Sequence, residues 1–292
     1  NNGPAMSGRV TDSAARESGL QAGTPVVTGA GHAAATAIAT GVLHPGAAVI
    51  ELGGQGSLLV PTAEAMKDPQ GRLTSTCHCI AGTWALTATD LASSPGLDWI
   101  MDQVLPVEVA QARRNQRDPL DLLSELAAEV PPGSEGLVYL SGTRPSAGGF
   151  IGLEHRHKRG HLVRAVMESG ALACRNAITA LIELKRGPDH IFITGPGATN
   201  HLWCQILADA LDRNIAAVPV QEAAALGAAT LAGSAVGVFK GIDDACHKLV
   251  KTKGTFHPRR AASDVYTALA PVVARMSHAI ASTFAQKAAE AS

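Results

Sequence analysis

Two glycine-rich turns are the stretches of this sequence best suited to bind a charged ligand. GAG at residues 29–31 follows the β-branched pair at 26–27, and GGQG at residues 53–56 follows the β-branched pair at 49–50. Because glycine has no Cβ atom, such turns adopt positive φ angles and let backbone N–H groups approach an anion closely. The turns therefore predict a phosphate-binding site. For residues 53–56 the alternative interpretation is an ordinary hairpin turn between two strands.

Neither turn matches a standard nucleotide-binding fingerprint, since GxGxxG and GxxxxGK[ST] are both absent from these stretches. A third glycine turn, GPGA at residues 195–198, follows the strand-like run at 191–194. In α/β sheets, ligands bind beyond the carboxyl ends of the strands. We therefore expect the three turns to converge at this end of the sheet. Their convergence predicts a nucleotide site.

The segments that must position these turns alternate between strands and helices, which is typical of an α/β layered domain. Predicted strands lie at residues 24–28, 49–52, 57–60, 137–140, 191–194 and 216–219, with one or two more within 73–87. Predicted helices lie at residues 12–19, 33–40, 96–104, 119–129, 161–184, 200–211, 222–236 and 263–289. We interpret the charged run 111–118 as a solvated connector, residues 141–149 as a loop and Asp209 as a surface charge.

Composition excludes several classes of protein. The chain has 292 residues, 46% hydrophobic and 17% charged, and its formal net charge of -1 gives no global attraction to nucleic acid or an anionic membrane. No apolar run reaches the roughly 18 residues of a membrane span. Five cysteines without a disulfide pattern indicate a reducing compartment, so we expect a cytoplasmic location. The histidines and cysteines lack the spacing of a zinc site, so no metal ligands are predicted.

Residues 148–168 carry the most specific pattern in the chain. GGFIGL at 148–153 is followed by seven residues and then by HLVRAVME at 161–168. This pattern matches the second signature of the FGGY carbohydrate kinases, and the chain resembles the carboxy-terminal domain of that family, most closely its xylulokinase-like members. Three further stretches agree in order and spacing, namely GLQAGTPVVTGAG at 19–31, TGPGATNHLWCQILADAL at 194–211 and VPVQEAAALGAATLA at 218–232.

The resemblance implies the actin-like, ribonuclease-H-like ATPase fold, an α/β domain whose mixed sheet has helices on both faces. It also implies ATP-dependent phosphorylation of a sugar hydroxyl, with ATP and magnesium as cofactors and a pentulose such as D-xylulose, or a polyol, as substrate. In the family, ATP lies in a cleft between two such domains. No DxGTT-like stretch of the amino-terminal domain is found in residues 1–292. We therefore expect one carboxy-terminal domain that needs an amino-terminal kinase half as partner and is inactive alone; a homodimer is a further expectation.

The resemblance also assigns site residues. The position of the family's catalytic aspartate, the general base, holds His32. Histidine accepts a proton near neutral pH, but it lacks the carboxylate expected beside magnesium. The GTSG-like phosphate turn lies at 53–56 without its hydroxyl groups, and the adenosine-side turn at 194–198 contains a proline, which has no N–H group. The residues assigned to the nucleotide are Gly53, Gly54, Gln55, Gly56, Gly195, Gly197, Ala198 and Asn200.

These departures from the family pattern leave an alternative open. The chain is interpreted either as half of an active sugar kinase or as a degenerate, non-catalytic FGGY homologue that binds nucleotide or a partner protein. A scaffold without any ligand is a third interpretation. His32 and the missing hydroxyl groups of the phosphate turn favour the second interpretation over the first.

Overall fold

The computed structural model describes residues 3–54, 56–91, 94–141 and 148–290. The strands are β1 (Met6–Arg9), β2 (Pro25–Val27), β3 (Ala47–Glu51), β4 (Ser57–Thr62), β5 (Thr74–Cys77), β6 (Trp84–Thr89), β7 (Val138–Ser141), β8 (Gly148–Ile151), β9 (His190–Thr194), β10 (Ile215–Ala217) and β11 (Gly254–Phe256). The α-helices are α1 (Asp12–Ser18), α2 (His32–Ala39), α3 (Ser94–Trp99), α4 (Pro106–Arg114), α5 (Pro119–Ala128), α6 (Arg159–Glu183), α7 (His201–Leu211), α8 (Ala223–Ala235), α9 (Ile242–Leu249) and α10 (Arg260–Glu290). A π-helical turn (Ile100–Val104) continues α3.

A mixed sheet of seven strands forms the centre of the fold, in the order β11-β10-β9-β3-β4-β6-β5. Strands β3, β9 and β10 run parallel to one another, whereas β4, β6, β5 and β11 each run antiparallel to the strand beside them. Two further ladders, β1 with β2 and β7 with β8, stand apart from this sheet. Because β4 returns antiparallel along β3, the turn at 53–56 is a hairpin connection, as the alternative interpretation predicted.

Helices cover both faces of the sheet, as predicted. On one face, Ile50 and Leu58 belong to a large core cluster shared with α6 and α7. On the other face, the neighbouring residues Val49 and Leu59 pack against Ala37 of α2. This alternation follows from the strand period of two residues, which sends successive side chains to opposite faces. Both faces of the confirmed strands β3 and β4 are buried, and their sequences are continuously apolar for this reason.

Helices α2 and α8 approach each other unusually closely. A Cβ atom at Gly227 in α8 would lie 1.9 Å from the carbonyl oxygen of Ala35 in α2. Only a residue without a side chain fits there, so the two backbones meet directly. The small residues of both helices, most of them alanine or glycine, make this approach sterically feasible. Helix α2, which begins at His32, thus packs on the sheet through Ala37 and directly against α8.

Three of the sequence predictions differ from the structure. Residues 111–114 are not a connector but the last turn of α4, which buries Val109 and Ala112. Asp209 is fully buried rather than exposed, and its carboxylate accepts hydrogen bonds from the backbone N–H of Arg259 at 2.7 Å and from its guanidinium at 2.6 Å. Residues 148–149 of the predicted loop begin β8, whereas 142–147 lie outside the described residues.

Among the residues that the structure describes, no helix is both long and apolar enough to cross a membrane.

Burial of His78 predicts that stability depends on pH. The residue is 5% exposed, and Nδ1 of its ring accepts the N–H of Ile80 at 3.2 Å. Desolvation, with a smaller electrostatic contribution from His44, lowers the pKa of His78 from its usual 6.5 to about 4. The folded protein therefore resists protonation of this ring between pH 6.5 and 4, while the unfolded chain accepts the proton. The stability from the neutral ring is complete above pH 6.5 and should fall by up to about 3 kcal/mol as the pH drops to 4.

Urea unfolding at pH 7.5, 6, 5 and 4 measures this loss. The matched variant is His78→Asn, because the asparagine Oδ1 occupies nearly the position of Nδ1 and can accept the same backbone hydrogen bond without titrating. We expect a shallower dependence of the unfolding free energy on pH in this variant than in the wild type. Equal slopes for the two proteins would contradict the assignment to His78.

Candidate functional site

The glycine turns at 53–56 and 195–198 lie side by side because the strands that precede them, β3 and β9, are neighbours. Glu51 of β3 is opposite Thr194 of β9 in the parallel ladder. The N–H of Leu52 donates to the carbonyl of Thr194 at 2.8 Å, and the N–H of Gly197 donates to the carbonyl of Leu52 at 2.9 Å. Both turns thus follow the carboxyl ends of parallel strands, at the sheet edge where α/β proteins bind ligands.

Position 195 requires a glycine because the two turns pack closely there. Its φ of 86° and ψ of 180° lie in a region that is essentially restricted to glycine. A Cβ atom at this position would lie 2.7 Å from the carbonyl oxygen of Leu52 and 3.2 Å from Cγ of Glu51. At Gly53 a Cβ would lie 3.0 Å from the ring of Pro196. The proline that departs from the family pattern thus fills the space between the two turns.

Backbone donors in the turn at 195–198 are used inside the protein. The N–H groups of Gly195, Gly197 and Ala198 donate to the carbonyls of Val220, Leu52 and Gly195, respectively, at 3.1, 2.9 and 3.0 Å. These bonds fix the shape of the turn. They leave no free donor at these three positions for the phosphates of a nucleotide.

The turn at 53–56, in contrast, has backbone N–H groups that make no hydrogen bond within the described residues. The N–H groups of Gly53 and Gly54 donate to no acceptor in the described part of the chain. A Cβ at Gly54 would meet nothing within 4 Å, so this side of the turn is open. The N–H of Gly56 closes the turn onto the carbonyl of Gly53 at 3.0 Å, and Gln55 lies outside the described residues. Free N–H groups on an open glycine turn are suited to bind an anion.

A cavity of about 350 Å³ opens beside the two turns, within the size range of small-molecule sites. Its walls combine both turns with residues of α3, the π-helical turn, α4, α5 and α7. The lining residues are Gly53, Gly54, Ser94, Leu97, Asp98, Met101, Arg113, Asp118, Pro119, Leu120, Pro196, Gly197 and Trp203. The wall is mostly apolar, which suits a flat ring, and Gly53 and Gly54 form part of it.

Asp98 of α3 lines the cavity. Burial, and the charge of Asp102 to a smaller extent, raise the pKa of Asp98. No sequence motif indicates that Leu97, Asp98 and Met101 lie near the glycine turns. Their proximity is a tertiary contact, which depends on the path of the chain around the sheet. The helix at 96–104 was predicted, but the side of it that faces a cavity was not.

Asn200 follows the turn at 195–198 and is not among the residues that line this cavity. It is buried, its Oδ1 accepts the N–H of Trp203 at 3.0 Å as the N-cap of α7, and its Nδ2 donates to the hydroxyl of Ser124 at 2.6 Å. Ala198 likewise is not among the cavity-lining residues. The structure gives both residues a part in holding the turn, and their contact with nucleotide stays a prediction.

His32 is brought to the same end of β3 as the turns. It is the first residue of α2, and its Nε2 lies 2.9 Å from Oε2 and 3.1 Å from Oε1 of Glu51. The same carboxylate accepts a hydrogen bond from the Ser57 hydroxyl at 3.3 Å. The His32 side chain is 67% exposed, whereas that of Glu51 is 14% exposed. Sequence reasoning missed Glu51, because it ends an otherwise apolar strand without any motif of its own.

The described residues provide no cluster of side chains that could bind magnesium. They contain no group of three or more histidine, cysteine, aspartate or glutamate side chains placed to hold a metal ion. Glu51, the carboxylate beside the turns, already accepts from His32 and Ser57. The described residues do not form a magnesium site by themselves. Magnesium commonly relies on substrate phosphates and only one or two carboxylates, so an ion here would depend on the phosphates.

Comparison with known proteins matches residues 48–236, more than half of the chain, to the C-terminal domain of the FGGY family of carbohydrate kinases. The chain is 26% identical to a gluconokinase of Bacillus licheniformis over 279 residues, covering 92% of this chain and 54% of the relative. It is 30% identical to an autoinducer-2 kinase of Yersinia enterocolitica over 263 residues, covering 86% of this chain and 50% of the relative. The chain thus spans about half the length of these relatives.

The fold agrees with these matches. The crystal structure of xylulose kinase from Rhodospirillum rubrum superposes with a TM-score of 0.78 and 32% sequence identity, covering 97% of this chain and 57% of that one. Together with the mixed sheet, this similarity confirms the actin-like ATPase fold that the sequence predicted.

Proposed function

Because the chain belongs to the FGGY family of carbohydrate kinases, we propose that it is the nucleotide-binding, carboxy-terminal half of an ATP-dependent sugar kinase. The observation that carries the proposal is the 350 Å³ cavity beside an open glycine turn. Its apolar wall accepts the adenine ring, and the free N–H groups of Gly53 and Gly54 bind phosphate oxygens. Such donors act by positioning and charge stabilisation, which dominate the catalysis of phosphoryl transfer.

The acceptor is a sugar or polyol hydroxyl, with a pentulose such as D-xylulose as the first candidate. This choice is supported by the similarity to a xylulose kinase at 32% identity. His32 faces the acceptor at the position of the family's general base, and magnesium enters with the phosphates of ATP. An amino-terminal kinase half supplies the remaining contacts to sugar and phosphate. On this proposal, residues 1–292 contain one half of the cleft and do not transfer phosphate alone.

A non-catalytic FGGY homologue that binds nucleotide or a partner protein is the second candidate. It is favoured by His32 in the place of a carboxylate and by the absence of threonine or serine hydroxyls from residues 53–56. The two candidates share the nucleotide site and differ in transfer. Sugar-dependent release of ADP, after an amino-terminal half is supplied, distinguishes them.

We expect the purified chain to bind ATP in the presence of magnesium, and we expect Met101→Trp to prevent it. Met101 lines the cavity, and an indole ring there would occupy much of the 350 Å³ that the adenine needs. The affinity should fall at least about tenfold, equivalent to about 1.4 kcal/mol. Titration calorimetry measures this change. Met6→Trp is the matched control, because β1 is exposed along its length and should tolerate the same substitution.

Two results would contradict this proposal. A wild-type chain that is folded by circular dichroism but releases no heat with ATP and magnesium would argue against a nucleotide site in this chain. Binding by Met101→Trp with wild-type affinity would place the nucleotide outside the cavity.

A further inference from the structure

We propose that Glu51 is a positioning residue that prepares His32 to accept the proton of the sugar hydroxyl. The inference rests on the proposed function, because it concerns the same site. The two side chains come from separate elements, since His32 opens α2 and Glu51 ends β3. The carboxylate that position 32 lacks is thus supplied by the neighbouring strand, one hydrogen bond away.

The hydrogen bond between the pair determines which ring nitrogen carries hydrogen. Nε2 of His32 lies 3.1 Å from Oε1 and 2.9 Å from Oε2 of Glu51. An ionised carboxylate only accepts hydrogen bonds, so Nε2 is the donor. In the neutral imidazole, Nδ1 then carries the free lone pair. Within the described part of the chain Nδ1 has no partner, and the side chain is 67% exposed, so a hydroxyl can reach it.

Surrounding contacts hold the Glu51 carboxylate in place. Ser57, directly opposite in the β3–β4 ladder, donates its hydroxyl hydrogen to Oε2 at 3.3 Å. Gly195 lies against the stem, where a Cβ atom would be 3.2 Å from Cγ of Glu51. The side chain is 14% exposed. Because these contacts restrict the Glu51 carboxylate, its hydrogen bond orients the exposed imidazole of His32. A change of structure in the turn at 195–198 would therefore displace Glu51 and, with it, the His32 ring.

In the proposed reaction ATP is the phosphate donor and His32 is the proton acceptor. The sugar oxygen forms a bond to the γ-phosphorus while its hydrogen passes to Nδ1 of His32, and the bond from that phosphorus to the bridging oxygen breaks to release ADP. His32 becomes an imidazolium ion whose charge Glu51 offsets, and the ring later returns the proton to solvent. A nucleophile activated by a base that a third group orients is a general arrangement in catalysis.

The first test reads the hydrogen bond directly and needs no activity. Nuclear magnetic resonance of the chain labelled with ¹⁵N-histidine at pH 8.5 reports which ring nitrogen carries hydrogen, and His32→Gln identifies the signals. We expect the wild type to show Nε2–H with Nδ1 unprotonated, and Glu51→Ala to move the two shifts toward each other as the second tautomer becomes populated. Asp243→Asn is the matched control, because it disrupts the exposed pair of His44 and Asp243 at 3.4 Å.

The second test measures phosphoryl transfer with an amino-terminal kinase half supplied. Glu51→Gln keeps the shape of the side chain and removes its charge, and we expect kcat to fall about 10²-fold, within the range of general-base catalysis. The KM for ATP should stay within threefold, because Glu51 contacts no nucleotide. Asp243→Asn should transfer at the wild-type rate.

The outcomes separate this inference from the proposed function. Wild-type shifts that equal those of Glu51→Ala, or a ring protonated at Nδ1, would overturn the role of Glu51 even if ATP binds. A wild-type rate in a folded Glu51→Gln variant would overturn it as well. A wild-type chain that has the Nε2–H tautomer but binds no ATP would leave the pair intact and refute the nucleotide site.

Discussion

Gly195→Ala is expected to destabilise the protein by about 3 kcal/mol and to abolish measurable binding of ATP and magnesium. The φ and ψ angles of 86° and 180° belong to a region that alanine avoids at a cost of about 1–3 kcal/mol. In addition, the new Cβ would lie 2.7 Å from the Leu52 carbonyl oxygen, a contact that only a shift of the backbone relieves. That shift would move the turn at 53–56 away from its neighbour and alter the cavity.

Urea unfolding and calorimetry check the two parts of this prediction. Gly8→Ala is the control, because a Cβ at Gly8 on the exposed strand β1 meets nothing within 4 Å. It should change the unfolding free energy by less than about 0.5 kcal/mol, as surface substitutions usually do. Wild-type stability in Gly195→Ala would show that the turn accommodates a side chain and does not depend on this glycine.

Glu168→Ala is expected to have the largest effect on stability away from the candidate site, about 3–5 kcal/mol. The buried Glu168 carboxylate accepts from the guanidinium of Arg164 and the hydroxyl of Tyr266, both at 2.8 Å. It also accepts from the N–H of Gly133 and the hydroxyl of Ser134, both at 2.9 Å. Removing it leaves the Arg164 charge, which is 3% exposed, without its counterion. The network joins α6 to α10 and to the segment before β7.

Chemical denaturation of three variants tests this network. Tyr266→Phe removes one hydrogen bond and should cost about 1–2 kcal/mol. Glu125→Ala removes an exposed carboxylate that pairs with Arg117, and it should cost less than about 1 kcal/mol. A loss below about 1 kcal/mol in Glu168→Ala would mean that water or a neighbouring group replaces the carboxylate, contrary to its burial.

The long helices could be predicted because each repeats its apolar positions locally. Helix α6 shows this well, since Val166, Ala177 and Leu181 are all buried at helical spacing. Helix α4 was missed for a related reason. Its buried residues, Val109 and Ala112, straddle the start of the charged run, so a window centred on the charges contains little of the apolar stripe.

The parts of the site that the sequence could not predict depend on contacts between distant segments. Glycine turns have a local composition and were found. Glu51, in contrast, pairs with His32 across 19 residues, and the cavity wall combines residues of α3, the π-helical turn, α4, α5 and α7. Asp209 illustrates the same limit, because its counterion Arg259 lies 50 residues further along the chain. A lone carboxylate in a helix is mostly exposed, so without its partner it was assigned to the surface.

Direct contact between the backbones of α2 and α8 links the position of His32 to α8. No side chain separates Gly227 of α8 from the Ala35 carbonyl of α2, so a side chain added at position 227 would have to displace one helix from the other. His32 is the first residue of α2, whereas its partner Glu51 belongs to the central sheet. A displacement of α2 would therefore change the 2.9 Å separation between Nε2 of His32 and Oε2 of Glu51. Gly227 thus contributes to the geometry of a pair in which it takes no part.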